Sequence, residues 1–211
     1  MKISRERICL IDLGVALTKV GVASDLTPRL VVPTLAACPV SAGDNQTEES
    51  AYIFGDAMDH IPGKIKKVPL ITAKTILQLR LFRLFLAHLF KLLEFTPDQG
   101  YLMIAKPSEW SPELGDQLKR YLLQEFNFEA VKISDSEQFV LETHKTSSAI
   151  VLNIGAVETS ITPYLNGNVL TNLKMKSPIA GSTITEYFKF LLERQFKYIQ
   201  SPIFDTFAAL S

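Results

Sequence analysis

The 211-residue chain predicts an α/β protein with one complete βββαβαβα unit and the first half of a second. Three observations carry this reading. Residues 9–24, "CLIDLGVALTKVGVAS", are echoed without a gap by residues 150–164, "IVLNIGAVETSITPY"; Asp12 falls on Asn153, Gly14 on Gly155 and Thr18 on Thr159. Each copy reads as strand, glycine turn, strand. Between the copies strand and helix signals alternate, and at Ser148 the opening order restarts, as in an internal repeat.

The elements follow in order. Strands are expected over residues 8–13, 17–23 and 30–33, with Gly14 and "DLTPR" as turns. Residues 41–50, "SAGDNQTEES", are polar and turn-rich and read as a solvated loop, part of a short polar insertion around 40–70. A long helix is expected over 75–95. Leu77, Leu81, Leu84, Phe85, Leu89 and Leu92 surround most of it, while Arg80, Arg83, His88, Lys91 and Glu94 share a narrow stripe. Charges near a bilayer centre cost roughly 2.5–3.5 kcal/mol each, which argues against a membrane span and for a mostly buried helix.

Next come a strand over 101–105 and a helix with Ser111 as N-cap and Pro112 in its first turn, ending near Phe126. A strand over 130–134 and a helix capped at Asp135 close the first unit. Trp110 reads as a surface-packing aromatic and His144 as a linker residue. The second unit offers strands "SAIVLNIG", "ETSITPYLNG" and "NVLTNLKM", with Asn166–Gly167 as a hairpin turn, then a helix from Ser182. The expected domains are 1–146, a partial second domain over 147–197, and a divergent tail over 198–211.

Composition narrows the function. Lys+Arg and Asp+Glu both number 22, so nothing in the bulk charge calls for nucleic acid or an anionic membrane. Two cysteines and three histidines form neither a disulfide framework nor a metal pattern, which points to a reducing compartment. The start "MKISRER" lacks the apolar run of a secretory signal. A 47% hydrophobic chain of this length can bury a real core.

The chemistry lies in the two hairpins. A glycine turn lets backbone N–H groups approach an anion, so two of them can hold a polyphosphate, with Lys19 neutralising its charge. One such hairpin alone reads as a sheet turn. Two matched copies in this element order read as a clamp.

The sequence resembles actin and the actin-related proteins, within the wider family shared with Hsp70 and sugar kinases. The stretch "IDLGVALTKVGVASDLTPRLVVPT" looks like the first phosphate segment, "FGDAM" like the Gly-Asp-Glu-Ala motif, and "SSAIVLNIGAVETSITPYLNG" like the second phosphate segment. "SPIAGSTITEYFKFLLERQ" is similar to the helix that follows it, and the likeness extends to about residue 196. It implies an actin-like ATPase (ribonuclease H-like) fold. It also implies a site for ATP or ADP with Mg²⁺, built from Asp12, Gly14, Val15, Ala16, Leu17, Lys19, Gly155, Ala156 and Gly181. Asp12 would meet the metal indirectly, through water.

The departures decide the expected activity. The family's small polar serine and second glycine are here Val15 and Ala16, and its Asp-x-Gly-Asp-Gly becomes Asn153-Ile154-Gly155-Ala156-Val157. An amide lacks the charge to balance Mg²⁺. The hinge glutamine aligns with Ser136, with Gln138 two residues on. Phosphoryl transfer needs positioning and charge together, so hydrolysis is expected to be lost and nucleotide binding weak. The family's adenine-binding wall, further phosphate loop and returning helices have no counterpart in the 211 residues. The resemblance therefore implies a truncated chain or a partner-supplied layer, with an open apolar face on the first domain that the tail could cover.

The function expected from the resemblance is a divergent actin-related protein. It would be a non-catalytic structural or regulatory subunit of a cytoskeletal, dynactin-like complex or of a nuclear chromatin complex. Expected partners are proteins of a multi-subunit complex, actin or other actin-related proteins among them, with no direct nucleic acid and no membrane. The expected location is cytoplasm and cytoskeleton, alternatively the nucleus. The alternative is an ATP-hydrolysing filament protein; a sugar kinase or chaperone fits less well, because "FGDAM" and "AGSTITEYF" look actin-like.

Overall fold

A computed structural model describes residues 3–40, 51–98 and 100–195. The chain divides into two compact units, Met1–Ser134 and Asp135–Ser211.

The first unit runs β1 (Ile8–Leu13), β2 (Leu17–Val22), β3 (Leu30–Pro33), β4 (Leu35–Pro39), β5 (Ile65–Pro69), α1 (Leu79–Leu92), β6 (Tyr101–Lys106), α2 (Pro112–Phe126) and β7 (Ala130–Asp135). Its main sheet has the order β3-β2-β1-β6-β7. The first three strands form an antiparallel meander, and β6 returns parallel to β1, pairing Ile11 with Ile104. Without β4 and β5 the order is 3-2-1-4-5, a mixed α/β sheet that fits the actin-like fold. Period-two alternation sorts the faces. Cys9, Ile11 and Leu13 are buried with Leu102 and Ile104 of β6, Phe82, Phe85 and Leu89 of α1, and Leu118 and Leu122 of α2. Asp12, Lys19 and Val31 lie in one cross-strand row on the opposite face.

Helix α2 forms as its start signal predicts: Ser111 Oγ accepts the Leu114 N–H at 3.2 Å, and Pro112 stands in the first turn. It stops at Asn127, which takes the left-handed conformation. Helix α1 begins at Leu79, later than the expected residue 75. The Thr72 hydroxyl accepts the N–H groups of Lys74 and Thr75, and Leu77 N–H bonds the Leu70 carbonyl. That side-chain turn outcompetes a further helical turn.

Trp110 was expected at the surface but is 2% exposed. Its Nε1–H donates to the Thr72 carbonyl at 3.1 Å, and its own carbonyl accepts from Lys106 Nζ at 2.9 Å. The region around 40–70 is more than a polar insertion. Strands β4 and β5 pair antiparallel, and Leu35, Ala37 and Met58 form a small core with Ile53, Ile61 and Ile65. The polar stretch 41–50 lies outside the described residues, as does the tail after Gln195.

The second unit contains α3 (Ser136–His144), β8 (Ala149–Ile154), β9 (Thr159–Leu165), β10 (Asn168–Val169), β11 (Met175–Ser177) and α4 (Gly181–Gln195). By element order α3 closes the first repeat, yet its Leu141 clusters with Val151 and Tyr164. The echo in the sequence is an echo in register: Leu13 pairs Thr18 as Ile154 pairs Thr159, and Asp12 pairs Lys19 as Asn153 pairs Ser160. The third strand of this unit was expected to be continuous and is split. Val169 opposes Tyr164 while Met175 opposes Ile161, so six positions on one strand face three on the other, and the surplus forms a 3-10 turn over Thr171–Leu173.

The open apolar surface is not where the sequence placed it. Leu81, Phe82, Phe85, Leu86, Leu89 and Phe90 of α1 are all buried, and on the first sheet only Leu10, Leu17 and Val31 stand well exposed on the second face. The second unit exposes much more, with Ile150, Leu152 and Ile154 of β8 and Ile184, Tyr187 and Phe188 of α4. Among the described residues no helix is long and apolar enough to cross a membrane.

Trp110 ties β6, the start of α2 and the Thr72 turn together. Trp110→Ala should therefore lower the unfolding free energy by about 3–5 kcal/mol, the cost of emptying a buried aromatic site. Trp110→Phe should cost less. Equilibrium urea titration of the two variants checks both values.

Candidate functional site

The first loop joins β1 to β2 through Gly14, Val15 and Ala16. A Cβ on Gly14 would stand 2.5 Å from the Leu17 carbonyl oxygen, so this turn requires glycine. Thr34, just past β3, then sets the loop. Its hydroxyl donates to the Gly14 carbonyl at 2.7 Å and its backbone N–H donates to the Ala16 carbonyl at 2.9 Å. Because the Thr34 proton is committed, the Thr18 hydroxyl donates to Thr34 Oγ1 at 2.8 Å. Both threonines are fully buried. In a trans peptide the N–H points opposite to the preceding C=O. Anchoring those two carbonyls on Thr34 thus turns the Val15 and Leu17 N–H groups away from it, as an anion cradle needs.

Asp12 and Lys19 sit across from each other on β1 and β2, Nζ to Oδ2 at 2.8 Å, with side chains 44% and 49% exposed. An exposed pair of this kind is worth only about 0–1 kcal/mol, so little holds the lysine back from an incoming phosphate. Val15 and Ala16 are half-buried and Leu17 is exposed, and none carries a hydroxyl. The backbone and Lys19 are the donors this loop has.

The second loop is gripped differently. Gly155 N–H bonds the Glu158 carbonyl at 3.0 Å, and a Cβ on Gly155 would stand 3.0 Å from that oxygen. The first two N–H groups of α4, from Gly181 and Ser182, donate to the carbonyls of Gly155 and Ala156 at 3.0 and 2.7 Å. A Cβ on Gly181 would press on Gly155 at 3.3 Å, so glycine there allows the close approach. Where Asp12 faces Lys19 in the first hairpin, Asn153 faces Ser160 in the second. The first hairpin carries a charge pair at this register position and the second a neutral pair.

Sequence reasoning named Ser136 and Gln138 near the hinge. Gln138 is exposed and Ser136 half-buried, and the residue between them is the one that matters structurally. Glu137 is 1% exposed; it accepts from Ser136 Oγ at 3.1 Å and from Ser160 Oγ at 3.4 Å. The one signal for it was an acid in the first turn of a helix, where the N-terminal dipole favours it. Burial, with the charges of Glu137 and Asp135 adding to it, pushes the Tyr164 hydroxyl up to about 12, so it stays neutral.

Taken singly, the first loop suits phosphate: a glycine turn, outward N–H groups and a loosely held lysine. Asp12 suits a hydrated cation at second hand. The second loop suits a cation poorly, since its strand-end residue is an amide. Among the described residues no cluster of three or more His, Cys, Asp or Glu could hold a metal directly.

The comparisons agree with the fold. The chain is 25% identical over 205 residues to Actin-related protein 3 of Drosophila melanogaster, covering 89% of this chain and 49% of that protein. It therefore spans about half the length of the curated relative it matches. The family profile described as Actin matches residues 4–205. With that match over nearly the whole chain, and the repeated hairpins in one register, the chain belongs to the actin family.

Proposed function

We propose that this chain is a non-catalytic, shape-giving subunit of a multi-protein assembly of actin-related proteins in the cytoplasmic cytoskeleton, with weak residual nucleotide binding at its first loop. One observation carries the reading. The two hairpins share a register, so their chemistry compares position by position, and the second carries Asn–Ser where the first carries Asp–Lys. A protein that hydrolyses ATP through this fold needs charge on both loops to hold the hydrated cation and the attacking water. The first loop keeps its phosphate donors, which supports residual binding. Similarity to an actin-related protein supports partners of the same family; a nuclear chromatin complex is the alternative setting.

The competing reading is an ATP-hydrolysing filament protein. Glu137 is the observation in its favour, because it brings a carboxylate to Ser160, the cross-strand neighbour of Asn153. It is buried and held by two hydroxyls, which suits a structural acid better than a mobile base.

Phosphate release from Mg-ATP should match a buffer control. Release that disappears in both Asp12→Ala and Glu137→Gln would establish the enzyme instead. Labelled ATP, followed by fluorescence polarisation, should bind weakly to the parent chain, less to Lys19→Ala, and about tenfold better, or about 1.4 kcal/mol, to Asn153→Asp. The 211-residue chain alone should form no sedimentable polymer with magnesium and ATP; regular filaments in negative stain would contradict the subunit role.

A further inference from the structure

Helix α3 meets its sheet through a small apolar cluster, Leu141 with Val151 and Tyr164. Beside that cluster lies a polar row. Ser160, Thr162 and Tyr164 alternate along β9 and are 4%, 2% and 7% exposed, so three successive inward positions carry hydroxyls. Glu137, in the first turn of α3, is buried against the same row. It accepts from Ser160 Oγ at 3.4 Å and from Ser136 Oγ at 3.1 Å. All of these residues belong to the second unit.

Two groups here are short of partners. An ionised carboxylate offers about four acceptor sites, and Glu137 receives two hydroxyl protons, one of them over a long distance. The Thr162 hydroxyl is fully buried with no hydrogen-bond partner in the protein. Native interiors rarely leave such a group unpaired. Thr162 stands between Ser160 and Tyr164 on the inward face of β9. The Glu137 carboxylate bonds the first of these, and its charge, with that of Asp135, acts on the hydroxyl of the second. The carboxylate thus lies along the row that contains Thr162, although no direct bond joins the two. Inward positions two apart on a strand are about 6.6 Å from each other. A water with bonds of about 2.8 Å bridges up to about 5.6 Å, enough to reach from one group to the other. The partner that suits both must accept the Thr162 proton and donate to the carboxylate. Water does both. A metal cation would answer the carboxylate and leave the threonine proton unpaired.

We propose that one ordered water molecule binds between Glu137 and Thr162 and fastens the first turn of α3 to β9. It accepts from the Thr162 hydroxyl and donates to the Glu137 carboxylate, with the Ser160 oxygen as a further acceptor. This clasp makes α3 part of the second unit, although by element order it closes the first repeat. The proposal is independent of nucleotide binding and hydrolysis, and its test reads neither.

Magnetic relaxation dispersion of water oxygen counts the water molecules that a protein holds for long times. The 211-residue chain should lose one such molecule on Thr162→Val, which keeps the shape of the side chain, and retain it in Thr162→Ser. Urea titration gives an independent reading. If water pairs the hydroxyl, Thr162→Val should lower the unfolding midpoint, whereas removing an unpaired buried hydroxyl should leave or raise it. An unchanged water count in Thr162→Val, or a midpoint that does not fall, would overturn the proposal. So would a melting temperature that differs between potassium, sodium and tetramethylammonium chloride and loses that difference in Glu137→Gln, because it would assign the site to a monovalent cation. Should Thr162→Val not fold, a crystal structure of the parent chain decides. A water within hydrogen-bond distance of both Thr162 Oγ1 and the Glu137 carboxylate is expected, and a direct bond between those two groups would overturn the proposal.

Discussion

Both units hang on a tight glycine turn. At Gly14 the carbonyl three residues on stands 2.5 Å from where a Cβ would be, which excludes any other residue, and at Gly155 the corresponding carbonyl stands at 3.0 Å, which leaves a side chain little room. The turn sets the register of the hairpin, and the register decides which side chains face inward, since a slip of one residue would exchange the faces. From Leu13 opposite Thr18 follows the buried row of Cys9, Ile11 and Val20, and on the reverse the exposed row of Asp12 and Lys19. The phosphate-facing chemistry and the hydrophobic core of the first unit are thus two consequences of one turn. What then holds each loop differs: a buried threonine in the first unit, the first turn of a helix in the second.

This shared frame makes the difference in charge informative. Asn153 and Ser160 occupy the places of Asp12 and Lys19 in the same register, so the two hairpins differ here in side-chain chemistry. The two hairpins share a glycine turn and a register, and they differ in the charge that the register displays.

Much of this was legible in the sequence, and the reasons for the rest are physical. The hairpins were readable because alternation and a glycine turn are local signals. The start of α2 was readable because Ser111 and Pro112 act within one turn. Strands β4 and β5 were not, since Leu35 to Cys38 are buried in an unbroken run and "IKKVP" is charged, so neither shows the period of a half-buried strand. Trp110 was misread because its partner, Thr72, lies 38 residues away. Of the candidate site, Asp12, Gly14 and Lys19 could be named from motif and spacing. Thr34 and Glu137 could not, because their roles depend on hydrogen bonds to residues 20 and 23 positions distant.

The split third strand of the second unit has a consequence for how that sheet meets other chains. Its outer margin is broken into pieces of two and three residues by the 3-10 turn, too short and too bent to template a further strand. Among the described residues the opposite margin is β8, an unbroken six-residue strand that pairs β9. Among the described residues, only the β8 border offers a continuous ladder for a strand to pair with, and the broken border offers none.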